Sequence, residues 1–414
     1  MLVLLLAAAT AWVAWRNLQV EDETSASSAP AAAISVERGA YLARIGNCAT
    51  CHTARGGAAY AGGRGIATPF GTVYAGNLTP DPETGLGRWS ASDFWRALHD
   101  GRSREGRLLY PAFPYPDFTH VTRQDSDALF AYLRSIPVVR QPNRPHDLRF
   151  PYDLQVSLAV WRALFFTPQD FYTDPTKPAE WNRGAYLARG LGHCDACHAP
   201  RNVFGATSTD VELSGGLIPM QGWYAPSLAS PREAGTQDQP IEETMRLLKT
   251  GHTDRVAAMG PMAEVVFGST QYLDDADLRA LATFLKDIPQ HAPPAPQPLK
   301  LRLDVMEVGG KLYESHCSDC HGKHGEGGAP AYPPLAGHRA ATMASPANLV
   351  KVILHGGFAP TTAGNPRPYG MPPFGQALND EQIAAIATYV RGSWGNASPG
   401  VTPLDVDRLR QEAP

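Results

Sequence analysis

The chain has 414 residues, which is enough for two to four ordinary domains with several buried cores. Its formal net charge is −4 at pH 7, so no basic excess points to a nucleic acid partner. Glycine (39) and proline (37) are abundant while charged residues make up only 18% of the chain, which predicts loop-rich domains wrapped around something other than their own side chains.

The chain opens on the apolar run MLVLLLAAATAWVAWRNLQV (1–20), followed by a tether rich in serine and alanine (21–34). Residues 1–15 suit the hydrophobic core of a signal peptide and are short for a membrane span. If the Arg16 side chain snorkels to the lipid headgroups, the apolar run extends to Val20 and could cross the bilayer. Because no A-x-A cleavage site precedes the tether, the sequence favours an uncleaved anchor over a cleaved signal peptide. Either segment implies export.

All six cysteines lie in three groups, CATCH (48–52), CDACH (194–198) and CSDCH (317–321). C-x-x-C-H is the c-type haem attachment pattern: two thiols bond to the vinyl groups of one porphyrin, and the histidine reaches the iron. A single C-x-x-C could be a redox dithiol and paired ones could bind zinc, but each set here lacks the fourth ligand of a structural zinc site. The sequence therefore predicts three covalently attached haem c groups. The predicted attachment residues are Cys48, Cys51, Cys194, Cys197, Cys317 and Cys320, and the predicted iron ligands are His52, His198 and His321.

Two elements recur with each cysteine group. ERGAYLARIGNCATCH (37–52) returns as NRGAYLARGLGHCDACH (182–198) and, more loosely, as VGGKLYESHCSDCHG (308–322). A closing helix is predicted in each repeat from N-terminal capping residues, acids in the first turn and apolar residues at i, i+3/i+4 and i+7. A glycine on the first helix and an aromatic residue on the last predict two helices that cross closely, because glycine lets a ring approach the backbone. These aromatic residues are Tyr132, Phe284 and Tyr389.

Each repeat resembles the class I cytochrome c fold. The predicted fold class is therefore mainly α, with three tandem class I cytochrome c domains after an N-terminal membrane-anchor helix. The connector contains the apolar stretch LQVSLAVWRALFF (154–166), which predicts a helix, and the Pro-rich linker is expected to be semi-rigid. The polar tail is expected either to be loose or to lie on a partner. The predicted segments are the anchor or signal peptide (1–20), tether (21–34), domain 1 (35–137), connector (138–181), domain 2 (182–290), linker (291–302), domain 3 (303–395) and tail (396–414).

The second axial ligand of each iron sets its potential, and a methionine thioether suits the reduced state. The cytochrome fold places this methionine on a proline-rich loop before the closing helix. In domain 3 the loop YGMPPFG favours Met371 over Met343, which has no flanking prolines. In domain 2 the position after Pro261 favours Met262. The competing methionines of domain 2 are Met220, Met245 and Met259.

Domain 1 differs, because LLYPAFPYPDFTH (108–120) has Phe113 where the other loops have methionine. No methionine occurs between residues 2 and 219, so the first haem has another sixth ligand or none. His120 is the nearest donor, and ligation by two histidines competes with an open or water-bound iron. Domain 1 is therefore predicted to hold a haem of lower potential than a His/Met site, or one that is open to ligands. The less well placed alternatives are His99 and His146.

The chain after its N-terminal segment resembles the triple-haem cytochrome c subunits of membrane-bound bacterial dehydrogenases. The resembling stretches are NLTPDPETGLGRW (77–89), FWRALHDGRSREGRLLYP (94–111), NRPHDLRFPY (143–152) and GPMAEVVFGSTQYL (260–273). The resemblance implies a subunit with no catalytic residues, N-terminally anchored at the periplasmic face of the inner membrane. It would take electrons from a dehydrogenase catalytic subunit, with or without a small iron–sulfur subunit, and pass them to ubiquinone or a terminal oxidase.

Relatives that serve PQQ alcohol dehydrogenases or flavin-dependent sugar dehydrogenases usually read YPAMPY where this chain reads YPAFPY (110–115). The phenylalanine form looks more like subunits paired with molybdenum-containing aldehyde dehydrogenases, which is therefore the favoured partner. An enzyme with an open first haem is the alternative from another class. A redox or gas sensor is a third class, for which the chain shows no output domain.

Overall fold

The computed structural model describes residues 1–18, 35–208, 210–291, 302–328 and 331–412, and most of its elements are helices, as predicted. The elements form two compact units. The first unit comprises Met1–Pro178, Ala185–Ala196 and Asn202–Ala206, and the second comprises Ala179–Gly184, Cys197–Arg201 and Thr207–Pro414. The predicted tether and residues 292–301 of the predicted linker lie outside the described residues.

The helices account for every predicted helical segment. They are α1 (Leu2–Leu18), α2 (Val36–Ile45), α3 (Cys48–Cys51), α4 (Ala91–Asp100), α5 (Tyr115–Phe118), α6 (Arg123–Ser135), α7 (Gln155–Phe165), α8 (Ala179–Arg189), α9 (Asp195–His198), α10 (Ile241–Thr250), α11 (Pro261–Gly268), α12 (Asp275–Asp287), α13 (Leu303–His316), α14 (Ser318–His321), α15 (Arg339–Thr342), α16 (Ala347–His355), α17 (Asp380–Gly392) and α18 (Pro403–Gln411). The predicted connector helix is α7.

The strands are short and antiparallel, and none was predicted. β1 (Gly65–Thr68), β2 (Gly71–Tyr74) and β3 (Asp147–Leu148) form one sheet in that order, while β4 (Gly216–Leu217) pairs with β5 (Tyr224–Ala225) and β6 (Gly357–Phe358) pairs with β7 (Gly370–Met371). The pairing of β3 with β2 fixes the start of the connector on domain 1, since Asp147 lies opposite Thr72.

The first and last helices of each repeat cross at a glycine, as predicted. A Cβ atom added to Gly39 on α2 would lie 2.6 Å from the carbonyl carbon of Ala128 on α6 and 2.8 Å from the Cβ of Tyr132. The same contact recurs for Gly184 of α8 on α12 and for Gly309 of α13 on α17, where the aromatic Cβ atoms are 2.7 and 2.8 Å away. No side chain fits at these positions, so the helix backbones touch.

The closing helices begin at the predicted caps. The side chains of Thr122, Asp274 and Asn379 each accept a hydrogen bond from the backbone N–H three residues on, at 3.3, 2.7 and 2.9 Å. Each bond satisfies one of the N–H groups that a helix start leaves without a partner.

An ion pair joins the crossing helices in two of the three repeats. Arg38 contacts Asp125 at 2.6 Å, and Arg183 holds Asp277 through two bonds of 2.7 Å each. Asp125 and Asp277 are almost fully buried, so each arginine replaces part of the hydration that the carboxylate loses. The third repeat has Val308 and Gln382 at the two corresponding positions.

The N-terminal helix departs from the prediction. α1 has 17 residues, and within the part of the chain that the structure describes no helix is both long and apolar enough to cross a membrane, so the predicted anchor is not supported. Arg16 does not snorkel but donates to the Phe166 carbonyl at 3.2 Å and to the Thr167 hydroxyl at 2.7 Å, beyond the end of α7. Asn17 donates to the Ala159 carbonyl at 2.9 Å. These bonds tie the polar end of α1 to the connector helix.

The tail also differs from expectation, because it folds back as α18 and packs on α16 and α17. Its start is a capping box in which Thr402 and Asp405 exchange backbone hydrogen bonds, with Pro403 in the first turn. Val406 is fully buried in the apolar core that α16 and α17 line. The tail therefore belongs to the fold of the third repeat.

Candidate haem sites

The histidine of each C-x-x-C-H segment is held in one tautomer by a loop carbonyl. The Nδ1 atoms of His52, His198 and His321 lie 2.7, 2.7 and 3.0 Å from the carbonyl oxygens of Gly76, Pro226 and Pro333. An Nδ1–H that donates to a carbonyl leaves the lone pair on Nε2, which is the arrangement that metal-ligating histidines require. Burial lowers the pKa of all three rings, which favours the neutral, ligating form.

Sequence reasoning missed these acceptors, although they leave a signal. Each acceptor is a glycine or proline that lies two residues before a leucine. The three leucines are Leu78, Leu228 and Leu335. A repeated Gly/Pro-x-Leu pattern downstream of each C-x-x-C-H segment would therefore have identified the loops.

The cysteines lie on or beside one-turn helices that present the thiols of positions i and i+3 on the same side. His52 N–H donates to the Cys48 carbonyl at 2.9 Å, and His321 N–H donates to the Cys317 carbonyl at 2.9 Å. Burial raises the pKa of the Cys48 thiol to about 12 and that of Cys317 to about 11. A redox dithiol needs a lowered thiol pKa, and the pKa values of Cys48 and Cys317 are raised instead.

Met371 lies in β7, where it pairs with Gly357. It is partly buried and packs on the same apolar core as Cys317. Its competitor Met343 is only 4% exposed at the end of α15, which suits a packing role. The residues around Met371 thus fit the predicted ligand loop of the third haem.

Met262 is the second residue of α11. The preceding Gly260 packs against the indole of Trp223, which a Cβ atom there would approach to 2.6 Å. Trp223 lies three residues before Pro226, the acceptor of the His198 ring, so the Met262 loop and the His198 loop are neighbours. Among the competitors, Met220 is 48% exposed and Met245 lies within α10.

Phe113 occupies the position in domain 1 that Met262 occupies in domain 2. The helices α4 and α10 end at left-handed glycines, Gly101 and Gly251. The Gly101 carbonyl accepts from Leu109 N–H at 2.8 Å, and the Gly251 carbonyl accepts from Ala258 N–H at 2.7 Å. Phe113 lies four residues after Leu109, and Met262 lies four residues after Ala258. The two loops therefore leave their helices in the same register.

The Phe113 loop is an aromatic cluster rather than a donor site. The Phe113 ring lies 5.3 Å from Phe118 and 6.5 Å from Tyr115, and Tyr115 is fully buried against Phe166 at 4.7 Å between ring centroids. Phenylalanine has no atom that can bind iron. In domain 1, a packed aromatic side chain therefore takes the position that methionine has in the other loops.

His120 is the donor that this cluster leaves available. Its Nδ1 is buried without a hydrogen-bond partner, while its ring bonds to the backbone of Asp170, and burial lowers its pKa. Nδ1 of His99 lies 2.8 Å from the Thr119 carbonyl, and Nδ1 of His146 accepts from Tyr74 N–H at 3.1 Å. A neutral histidine ring with an open nitrogen can bind iron, and His120 follows the Phe113 loop most closely of the three.

The helix α18 fixes the far end of the Met371 loop. Arg410 donates to the carbonyls of Gly375 and Leu378 and to the carboxylate of Asp380, the last at 2.8 Å. From the other side, Gly375 N–H donates to the Leu354 carbonyl at 3.0 Å. The loop is thus held between α16 and α18.

Replacing Arg410 with alanine is expected to loosen this loop. Three hydrogen bonds from a charged donor are lost, so we expect a destabilisation of about 2 kcal/mol, measured by thermal unfolding. A weaker far-red absorption band from methionine-bound ferric haem should accompany it. Arg408→Ala, an exposed change on the same helix, is the control, and equal effects of the two substitutions would contradict the assignment.

Comparison with known proteins agrees with this geometry. Residues 36–137 and 306–394 match the family model for cytochrome c. The chain is 39% identical, over 91% of its length and 84% of the relative, to the cytochrome c subunit of a quinone-type alcohol dehydrogenase from Komagataeibacter europaeus. It is 37% identical, over 91% of its length and 90% of the relative, to the gluconate 2-dehydrogenase cytochrome c subunit of Pantoea cypripedii.

A further relative is a subunit of the nicotinate dehydrogenase of Pseudomonas putida, which is 40% identical over 89% of this chain and 31% of that protein. These relatives confirm the resemblance drawn from the repeats, and the cytochrome c match supports covalently bound haem c. The chain belongs to the family of cytochrome c subunits of dehydrogenase complexes.

Proposed function

We propose that the chain is an electron-transfer subunit with three covalently attached haem c groups. The observation that carries this proposal is the threefold recurrence of one arrangement, in which the histidine after each cysteine pair donates through Nδ1 to a loop carbonyl. One such bond could serve packing alone. Three, each beside a cysteine pair, support three iron ligands whose ring orientation is fixed in advance.

The cysteines, histidines and methionines of the three sites would have different roles in holding the haem groups. Bound haem c supplies a one-electron Fe(III)/Fe(II) couple. The six cysteines would anchor the porphyrins, and the three histidines would orient Nε2 towards the irons. Met262 and Met371 would each supply a soft sulfur ligand, which keeps both oxidation states of the iron bound.

We assign His120 as the sixth ligand of the first haem, because its open, buried nitrogen has no other partner. Two nitrogen ligands stabilise the ferric state more than a thioether does, so this haem would have the lowest potential of the three. A low potential suits a relay position between a donor enzyme and the methionine-ligated haems.

The proposed electron donor is the catalytic subunit of a dehydrogenase, with or without a small iron–sulfur subunit, and the proposed acceptor is ubiquinone or a terminal oxidase. Names of the relatives support a dehydrogenase partner but include several types. We favour a molybdenum-containing partner because Phe113 departs from the methionine form, and PQQ alcohol dehydrogenases or flavin-dependent sugar dehydrogenases are the alternative. Covalent haem attachment supports export, so we place the chain at the periplasmic face of the inner membrane.

The proposal predicts that the purified chain contains three covalent haems, counted by alkaline pyridine spectra against protein concentration. The reduced chain should bind no carbon monoxide, whereas His120→Ala should create one binding site per chain because it opens the first iron. His146→Ala, whose ring is engaged by Tyr74, is the control and should create none.

Fewer than three haems would contradict the proposed haem count. Stoichiometric carbon monoxide binding by the unmodified chain would contradict the His120 assignment and would favour an enzyme with an open first haem. Identifying molybdopterin, flavin or PQQ in the co-purifying complex tests the partner.

A further inference from the structure

The segments that precede the first two cysteine pairs touch each other. Gly46 lies two residues before Cys48, and Leu191 lies three residues before Cys194; all four belong to the first unit. A Cβ atom added to Gly46 would lie 3.4 Å from Cδ2 of Leu191 and 3.3 Å from Sγ of Cys48. Leu191 is only 1% exposed. The backbone leading into one attachment site is therefore packed on the backbone leading into the other.

His193 adds a polar link to this contact. Its ring hydrogen-bonds to the backbone of Gly46, and its edge faces the ring of Phe118 at 5.6 Å between centroids. His193 lies directly before Cys194, and its ring bonds to the backbone two residues before Cys48. It also touches the loop that contains Phe113.

The backbone of His193 has an unusual conformation beside this contact. Its φ of +36° is unusual for a residue with a side chain, and Asn47, directly before Cys48, has a φ of +51°. The corresponding residue of the third repeat, His316, is instead the last residue of the regular helix α13. The two segments that touch therefore each have a left-handed residue directly before the first cysteine of the pair, Asn47 in one and His193 in the other.

The loop of domain 1 that contains His120 packs against the segment just before His193. The Cβ of His120 lies 3.9 Å from the position of a Cβ on Gly190, and His193 N–H donates to the Gly190 carbonyl at 2.9 Å. Three segments therefore converge: Gly46 with Asn47, the loop from Phe118 to His120, and Gly190 to Cys194. Two of them lead into attachment cysteines, and the third contains the assigned ligand of the first haem.

We propose that His193 is a positioning residue for direct electron exchange between the first and second haems. Its bond to Gly46 holds the two attachment segments together, which fixes the separation of the haem edges. One electron supplied by the dehydrogenase leaves a ferrous iron at one site and reduces a ferric iron at the other, with no bond made or broken. The inference rests on the proposed function, because it needs a haem at each of these two sites.

The direct test is His193→Asn in the full chain loaded with haem. Asparagine tolerates a left-handed backbone but is too short to replace the ring. After one haem is reduced by a light pulse, the rate of electron redistribution between the first two haems should fall, because electron tunnelling slows steeply as the distance between the haem edges increases. Haem content and the three midpoint potentials should stay unchanged. His316→Asn, in the same register before Cys317, is the control and should leave the rate unchanged.

An unchanged rate in His193→Asn with three haems present would overturn the proposal. If that variant fails to take up haem, pulsed electron paramagnetic resonance of the unmodified ferric chain decides instead. Magnetic coupling between the first and second haems is expected, and no resolvable coupling between these two would overturn the proposal. A haem missing from either site of the unmodified chain would point to failure of the proposed function, which haem counting detects separately.

Discussion

Alanine at position 309 is expected to prevent the third repeat from folding. A Cβ atom on Gly309 would lie 2.8 Å from the carbonyl carbon of Ala385 and 2.8 Å from the Cβ of Tyr389. Backbone cannot rotate away as a side chain can, so α13 and α17 must separate. The cost should exceed the roughly 1–3 kcal/mol of an overpacked core side chain, and the gain of about 1 kcal/mol in helix propensity cannot offset it.

The neighbouring Gly310→Ala is a matched control on the same helix. The atoms nearest to its Cβ atom would be those of the Tyr389 ring, at 3.1 Å, and that ring can shift. We expect Gly310→Ala to retain haem and a nearly unchanged melting temperature, whereas Gly309→Ala loses both the cooperative transition of this repeat and one haem. Equal stability of the two variants would show that the helices do not cross as closely as described.

The substitution Met371→Leu is expected to lower the midpoint potential of one haem by on the order of a few tenths of a volt, because axial ligand identity sets haem potentials over a wide range. Leucine nearly conserves volume, so packing should change by less than about 1.5 kcal/mol. Met371 is partly buried and its strand pairing with Gly357 uses the backbone. The change therefore removes the sulfur atom and little else.

Spectroelectrochemical titration measures this shift, and carbon monoxide binding reports the opened iron. Met343→Leu is the matched control, since that methionine is in the same repeat and 4% exposed. Should Met343→Leu lower the potential while Met371→Leu leaves it unchanged, the ligand of the third haem would have to be reassigned to Met343.

Local patterns predicted the features that depend on short-range spacing. The crossing of α2 and α6 could be predicted from Gly39 and Tyr132, because one small and one large residue in register on two helices leave few ways to pack. The caps at Thr122, Asp274 and Asn379 could be predicted because capping uses residues within one turn. The connector helix followed from its apolar run.

Features that depend on distant partners could not be predicted in the same way. Arg16 looks like a snorkelling residue in isolation, since nothing near it in sequence reveals the Phe166 and Thr167 acceptors. The strands, as short as two residues, exist only because tertiary packing brings them together. The tail helix is different, because its capping box from Thr402 to Asp405 uses residues within one turn and is a local signal in the sequence.

The ion pair between the crossing helices bears on how the three repeats differ. Arg38 with Asp125 and Arg183 with Asp277 occupy the same register in the first two repeats, while the third has Val308 and Gln382. An arginine and an aspartate on different helices must change together to preserve the bond, because either one alone would leave a buried charge without its partner. The first two repeats are therefore more alike at this crossing than either is to the third.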